Sequence, residues 1–365
     1  MNHYRIPLYR PDLSGNEKKY VNECLDTSWI SSRGRFVAEF EHHFAARIAA
    51  EHAIAVCNGT AALHLALLAL GIGPGDEVIV PTLTYVASVN AIKYTGATPV
   101  FCDSLASSWQ MDPDNVERLI TPQTRAIMAV HIYGQPCDLA KLCMICASNR
   151  LFLIEDCAEA FGSQFGDRCV GTFGDIATFS FFGNKTLTTG EGGMVVTSNK
   201  ALADRVNHFK GQGLAANGEY WHDVIGYNYR MTNIAAAIGL AQLERAAQFI
   251  ARKRELAQDY QRMLTHYPLT MHEQQPGTLH TYWMVSALTE RPEQRDALRT
   301  HLARAGIETR PLFHPVHTMP MYSTHHAHHA VAENLASRGF NLPSWPGLGD
   351  QQLQDICRAI GQFYD

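Results

Sequence analysis

The sequence predicts an α/β fold: a large first domain around a mostly parallel central sheet, then a smaller C-terminal α+β domain. Three observations predict it. Short apolar, β-branched runs recur through the first part of the chain, several of them separated by segments of helical periodicity. The runs are nearly continuous in apolar residues, as strands buried on both faces of a parallel sheet must be. A long helical pattern over 233–264 then divides this part from a shorter tail of mixed patterns.

In order, "TAALHLALLALG" (60–71) carries helical periodicity and "DEVIVP" (76–81) reads as a strand. "YVASVNAIKYTG" (85–96) is a helix, and "TPVFCD" (98–103) and "RAIMAVHIYG" (125–134) are strands. The helix "DLAKLCMICASNR" (138–150) leads into the strand "LFLIED" (151–156); "ATFSFF" (177–182) and "GMVVTS" (193–198) complete the set. The run "NIAAAIGLAQLERAAQFIARKRELAQDYQRML" (233–264) is too long for an ordinary globular helix and suits a connector. It places the domain boundary near 245–250, with domains 1–247 and 248–365. Beyond it, "HTYWMVSAL", "PEQRDALRTHLARAG" and "IETRPLFHPV" form a second, βαβ-like unit before a terminal helix from about Gln351.

Composition narrows the function classes. A chain of 365 residues with 46% hydrophobic and 18% charged residues can bury a large core, as a soluble enzyme does. The net charge of -5 and the lack of a basic block argue against nucleic acid as a partner. "MNHYRIPLYRPDL" has no apolar core of a signal peptide, and "AALHLALLALGIG" is too short to span a bilayer, so no membrane partner and a cytoplasmic location are expected. The nine cysteines show no framework spacing. Cys143 and Cys146 form a C-x-x-C without a second pair, which reads as two small residues on one buried helix face. The "HHAHH" run at 325–329 has no nearby Asp, Glu or Cys, so no metal is expected there.

The sheet invites nucleotide motifs, but no G-x-G-x-x-G follows the first strand and no G-x-x-x-x-G-K-[ST] occurs. G-x-S-x-G and H-E-x-x-H are absent too. What remains is a constellation at strand ends, where ligands of such sheets gather. Asn58, Gly59 and Thr60 open a helix, and their N–H groups with the Thr60 hydroxyl make a phosphate site or a plain N-cap. "LFLIEDCAEAFG" ends a buried strand with Glu155 and Asp156, then Glu159; a carboxylate there needs a cationic partner, or caps a helix.

Lys185, the only lysine between Lys141 and Lys200, follows "FSFF" and precedes "TTGEGG". It is either a solvated tip or an amine made nucleophilic by partial desolvation. The glycines would let the backbone pass close to a flat ligand. Together these residues describe pyridoxal 5'-phosphate chemistry. That cofactor needs an amine for its aldehyde carbon, an acid opposite its ring nitrogen, a phosphate cradle and a stacking ring. Lys185, Asp156, Thr60 with Ser180, and Tyr85 can supply all four.

"VPTLTYVASVNAI", "EDCAEAFGS", "GTFGDIATFSFFGNKTLTTGEGGMVVT", "GYNYRMTNIAAAIGLAQLE" and "ETRPLFHPVH" resemble the DegT/DnrJ/EryC1/StrS sugar aminotransferases. The likeness runs from "GNEKKYVNECL" to the last helix. It implies an aspartate-aminotransferase-like fold of PLP-dependent fold type I and a homodimer with shared active sites. By the same resemblance Lys185 is the catalytic, cofactor-carrying lysine and Asp156 the partner of the ring nitrogen. Gly59, Thr60 and Ser180 match phosphate ligands, Tyr85 the stacking ring, and Asn228 a phosphate ligand given by the neighbouring subunit. Glu159 stands near the cofactor's ring hydroxyl, where many relatives carry Gln or His. Relatives with His in place of the lysine are 3-dehydratases, so Lys185 implies amino transfer.

"WISSRGRFV", "HFKGQGL", "YWHDVIGYNYRM" and "HPVHTMPMY" look like one subgroup in particular. They imply a GDP-linked 4-keto-6-deoxy sugar as substrate and L-glutamate as donor, with Arg230, His314 and His317 as candidate substrate contacts. A dTDP- or UDP-linked ketosugar is the alternative substrate, and a non-catalytic PLP-binding regulator the alternative of another class.

Overall fold

The computed structural model describes residues 4–216, 218–323 and 328–365. The strands are β1 (His52–Val56), β2 (Glu77–Pro81), β3 (Thr98–Cys102), β4 (Thr124–Val130), β5 (Phe152–Asp156), β6 (Gln164–Phe165) and β7 (Arg168–Cys169). There follow β8 (Ile176–Ser180), β9 (Gly193–Thr197), β10 (Leu269–Met271), β11 (Thr278–Leu279), β12 (Val285–Thr289), β13 (Arg310–Pro311) and β14 (Gly339–Leu342).

The central sheet has seven strands in the order β1-β9-β8-β5-β4-β2-β3. Only β9 is antiparallel to its neighbours. The carboxyl ends of β2, β4, β5 and β8 therefore share one edge, and β9 starts from that edge, with Gly193 opposite Ser180. Apolar cores lie on both faces. One is built around Phe40, Phe44, Phe179 and Phe181, the other around Leu63, Leu67, Val80 and Ile154. Residues 153 and 154 of one strand thus enter opposite cores, as the two-residue period of a strand requires.

Local chemistry sets the helix ends. Asn58 accepts a hydrogen bond from Ala61 N to start Gly59–Leu70, and Gly71, at φ 78°, ends it. Asp138 and Thr232 cap Leu139–Asn149 and Asn233–Glu244 in the same way.

The structure departs from the sequence expectations at four places. β1 is a strand that the patterns did not mark; it closes the sheet through β9. The run 125–134 stops as a strand at Val130, because Tyr133 takes a left-handed backbone, φ 57°. The pattern 233–264 is two helices, Asn233–Glu244 and Ala246–Leu264, parted at Arg245, whose backbone (φ -107°, ψ 6°) leaves the helical region while its guanidinium grips Asp12 at 3.0 Å. The βαβ-like unit is a four-stranded sheet of order β10-β12-β14-β13 with antiparallel pairings, in which β14 lies between β12 and β13.

That second sheet has its own core, including Leu256, Tyr260, Phe340 and Ile360, and Ile6 from the start of the chain belongs to it. The helix Ala246–Leu264 serves both cores: Phe249 and Ile250 pack on the first, Leu256 and Leu264 on the second. Cys146 is buried in the first core and Cys143 packs against it. No helix among the described residues is long and apolar enough to cross a membrane. Of the histidine run, His325 and His326 lie outside the described residues; His328 points outward, 3.6 Å from Glu333.

Candidate active site

At the shared strand edge lies a cleft of about 500 Å³. Gly59, Thr60, Tyr85, Asp156, Glu159, Ser180 and Lys185 all line it. The topology explains the meeting: Asp156 ends β5, Ser180 ends β8, Tyr85 stands just before Val86–Tyr94, and Gly59 and Thr60 open Gly59–Leu70.

The helix start is open as a donor. Asn58 takes the N–H of Ala61, which leaves those of Gly59 and Thr60 outside the helix's own bonding. Gly59 is required by space, since a Cβ there would lie 2.8 Å from the Cβ of Ser180. Two glycines of "TTGEGG", Gly192 and Gly193, are required by packing within the protein. A Cβ on Gly193 would meet the carbonyl carbon of Asn58 at 2.6 Å, and one on Gly192 the hydroxyl of Thr189. They let β9 pass against the helix start and the preceding turn. What they touch is protein backbone and side chain.

Asp156 is buried, and both its oxygens are engaged: Ser88 Oγ donates at 2.7 Å and Ala158 N at 3.0 Å. The carboxylate is thus held still at the cleft wall with lone pairs to spare. Lys185 Nζ lies 3.5 Å from Glu159 Oε1 and 4.0 Å from the centre of the Trp283 ring. Glu159 also accepts from Tyr133 N at 2.8 Å. Burial pushes the Glu159 carboxyl up to about 7, against the opposing pull of Lys185. The left-handed Tyr133 costs on the order of 1–3 kcal/mol of backbone strain and aims its N–H at that carboxyl. Its ring clusters with those of Phe313, at 5.5 Å, and Trp283, at 6.1 Å.

Glu155 goes to the other face. His131 and the amides of Gly171, Phe173 and Gly174 surround it. Burial raises its pKa, but these partners outweigh that and the net shift is downward. With His131 and Cys157 it is the one group among the described residues with metal-ligand spacing. Its hydrogen bonds already saturate it.

The other sequence candidates are placed elsewhere. Asn228 and Arg230 are exposed, outside the cleft, and joined by a 3.3 Å hydrogen bond. His314 is exposed beside the cleft residue Phe313. His317 is not among the residues that line the cleft. It is buried, its Nδ1 2.6 Å from Thr82 Oγ1 and its Nε2 3.1 Å from Glu333. Its Nδ1 docks the segment onto the loop that leads to Tyr85, and its Nε2 ties it to the helix Ala330–Arg338.

Sequence reasoning missed Ser88, His64, Tyr229, Trp283 and Phe313, which also line the cleft. Ser88 stands three residues after Tyr85, so helical spacing could have found it. The last two come from the C-terminal part, and no local pattern points from there to the cleft.

The donor set suits a flat molecule with an anionic tail and an aldehyde. A phosphate fits the helix start, where a side chain at Gly59 would run into Ser180; an amine and a fixed carboxylate line the same cleft.

Residues 11–361 match the model of the DegT/DnrJ/EryC1/StrS aminotransferase family. The chain is 61% identical over 359 residues to a GDP-perosamine synthase of Escherichia coli O157:H7, covering 98% of each chain. It is 50% identical to one from Vibrio cholerae, covering 99% of each. Among solved structures it resembles the aminotransferase TlmJ from Streptoalloteichus hindustanus, with a TM-score of 0.94, 30% identity and 98% of each chain covered.

Proposed function

The chain belongs to the DegT/DnrJ/EryC1/StrS aminotransferase family, and we propose that it transfers the amino group of L-glutamate to C4 of GDP-4-keto-6-deoxy-D-mannose, giving GDP-perosamine. Its fold is that of the PLP-dependent fold type I enzymes, and the family's cofactor is pyridoxal 5'-phosphate. The observation that carries the reading is Lys185 and Asp156 in one cleft with an open helix start. The relatives named as GDP-perosamine synthases support the sugar.

Gly59, Thr60 and Ser180 would hold the phosphate, Tyr85 would cover a ring face, and Asp156, fixed by Ser88, would keep the ring nitrogen protonated. Bound there, pyridoxal phosphate supplies an electron-withdrawing ring that makes the proton on the donor's α-carbon acidic. Lys185 would hold the cofactor through its aldehyde carbon, and when freed its Nζ would serve as the general base for the donor's α-proton. In the second half-reaction Lys185 Nζ returns a proton to C4 of the sugar. Glu159, next to Nζ, keeps that amine oriented. Trp283, Phe313 and Tyr229 wall the cleft with apolar surface and limit water.

The reading includes a homodimer in the cytoplasm that supplies cell-surface polysaccharide such as O-antigen, and the domain division 1–247 and 248–365. Tyr220, Trp221 and Ile225, 95%, 68% and 87% exposed, support a second copy on the face that carries Asn228 and Arg230. Those two residues would then serve the partner's site.

Borohydride treatment of the yellow protein should fix the cofactor at Lys185; label on another lysine would remove the assignment. A panel of nucleotide 4-ketosugars with L-glutamate tests the substrate. Equal or better turnover of a dTDP- or UDP-linked sugar would overturn the GDP-sugar reading and leave the aminotransferase standing.

A further inference from the structure

Behind Lys185 stands a residue that no motif marked. Trp283 is 4% exposed, and its ring face meets Lys185 Nζ on one side while Glu159 Oε1 meets it on another. Its indole N–H donates to Asn184 O at 2.7 Å, one residue before the lysine. The Trp283 backbone is pinned from both ends: its N–H donates to Tyr133 O at 3.0 Å, and its carbonyl accepts from Lys253 Nζ at 3.0 Å.

Lys253 is fully buried, and its second acceptor is Ser344 O at 2.9 Å. The Tyr9 ring lies 5.3 Å from the same Nζ, and the Tyr9 hydroxyl donates to Lys185 O at 2.6 Å. A buried lysine carrying no carboxylate partner is expensive to keep. Its bonds tie the backbone of Trp283 to that of Ser344, so it fixes the indole against which the reactive amine rests.

We propose that Trp283 is a catalytic residue, holding the Lys185 ammonium against its indole face opposite Glu159 whenever the amine is unbonded, and that Lys253 is its positioning residue. The inference rests on the assignment of Lys185 above. An aromatic face attracts a cation and gives nothing to a neutral amine. The indole therefore fixes where Nζ rests, and it keeps the freed side chain beside the cleft. Glu159 alone could hold the charge; only the ring also fixes the direction of approach.

The test uses protein loaded with pyridoxamine phosphate, which leaves Lys185 unbonded. Acetic anhydride labelling of Lys185 at one fixed pH, read by mass spectrometry, reports how well the indole covers that amine. Trp283→Leu should label several-fold faster than the parent. With cofactor and substrates, its kcat should fall roughly tenfold, because the freed base loses its fixed direction of approach, with the sugar KM little changed. Trp283→Phe keeps a weaker face and should fall between. Lys253→Met should move labelling and kcat in the same direction, since it releases the indole from behind.

Parent-like labelling and kcat in Trp283→Leu overturn the proposal. If that variant does not fold, parent-like values in Trp283→Phe overturn it equally. Borohydride labelling of the parent comes first. A label away from Lys185 refutes the underlying assignment, whereas a label at Lys185 with unmoved variants refutes the indole's role alone.

Discussion

The buried Lys253 makes a thermodynamic prediction that does not involve turnover. Burial lowers its pKa from 10.5 to about 7. In the unfolded chain the side chain regains its ordinary value. Between about pH 7 and 10.5 the unfolded state therefore holds a proton that the native state has lost, and stability rises with pH, by up to about 1.4 kcal/mol per unit. Across about two pH units inside that window the gain approaches ~3 kcal/mol. The neutral amine is well suited to the site: it keeps two N–H groups for two carbonyl acceptors, Trp283 O and Ser344 O. Lys253→Met removes the titration and leaves both carbonyls without their donor, about 1–3 kcal/mol each. Urea unfolding of parent and variant near pH 7.5 and 9.5 measures the effect, because other titrating groups cancel in the difference. The parent should pull ahead of the variant by roughly 3 kcal/mol more at the higher pH. A gap that stays constant between the two conditions would refute the buried, depressed lysine.

Three further outcomes follow from the cleft. Glu159 has the opposite linkage: its pKa is raised to about 7, so the native state holds a proton between about pH 4.5 and 7 that the unfolded chain has lost, and stability falls as pH rises through that window. Glu159→Gln should flatten that slope in urea titrations, and an unchanged slope would contradict the assignment. Ser88→Ala removes a 2.7 Å hydrogen bond to the Asp156 carboxylate, and with a charge-assisted bond at about 1.5–3 kcal/mol, cofactor affinity read from the visible absorbance should drop roughly 10- to 100-fold. Gly59→Ala drives a Cβ to 2.8 Å from Ser180 and should cost about 1–3 kcal/mol of stability together with retention of the cofactor, measured by melting and by dialysis.

The residues that the sequence made legible are those governed by local rules. Asp156 and Ser180 sit at strand ends, and Gly59 and Thr60 at a helix start, so the order of strands and helices alone sends them to one sheet edge. Lys185 and Tyr85 follow from their strands in the same way. What stayed hidden depends on contacts across the chain. Trp283 and Phe313 reach the cleft from the C-terminal part, and His317 looks like a ligand until Thr82 and Glu333 are seen to occupy it. The break at Arg245 carries no Gly or Pro to announce it, and the left-handed Tyr133 is held by tertiary stacking that a sequence window does not contain. That Gly193 makes room for the helix start at Asn58 is hidden in the same way, because the two are distant in sequence.

Ile6 bridges to Ile307, and Leu8 N donates to Glu308, so the smaller sheet's core is completed by the first residues of the chain. Leu8 precedes Glu308 by 300 positions, so this stretch must wait, unpaired, until that distant segment has been made. Closing so long a loop belongs to the slow end of folding, and it comes after the central sheet has had time to form. Because Tyr9 also bonds the backbone of Lys185, the reactive lysine loop receives its last support in that same closing step. A nascent chain thus has a folded sheet well before it has a finished site.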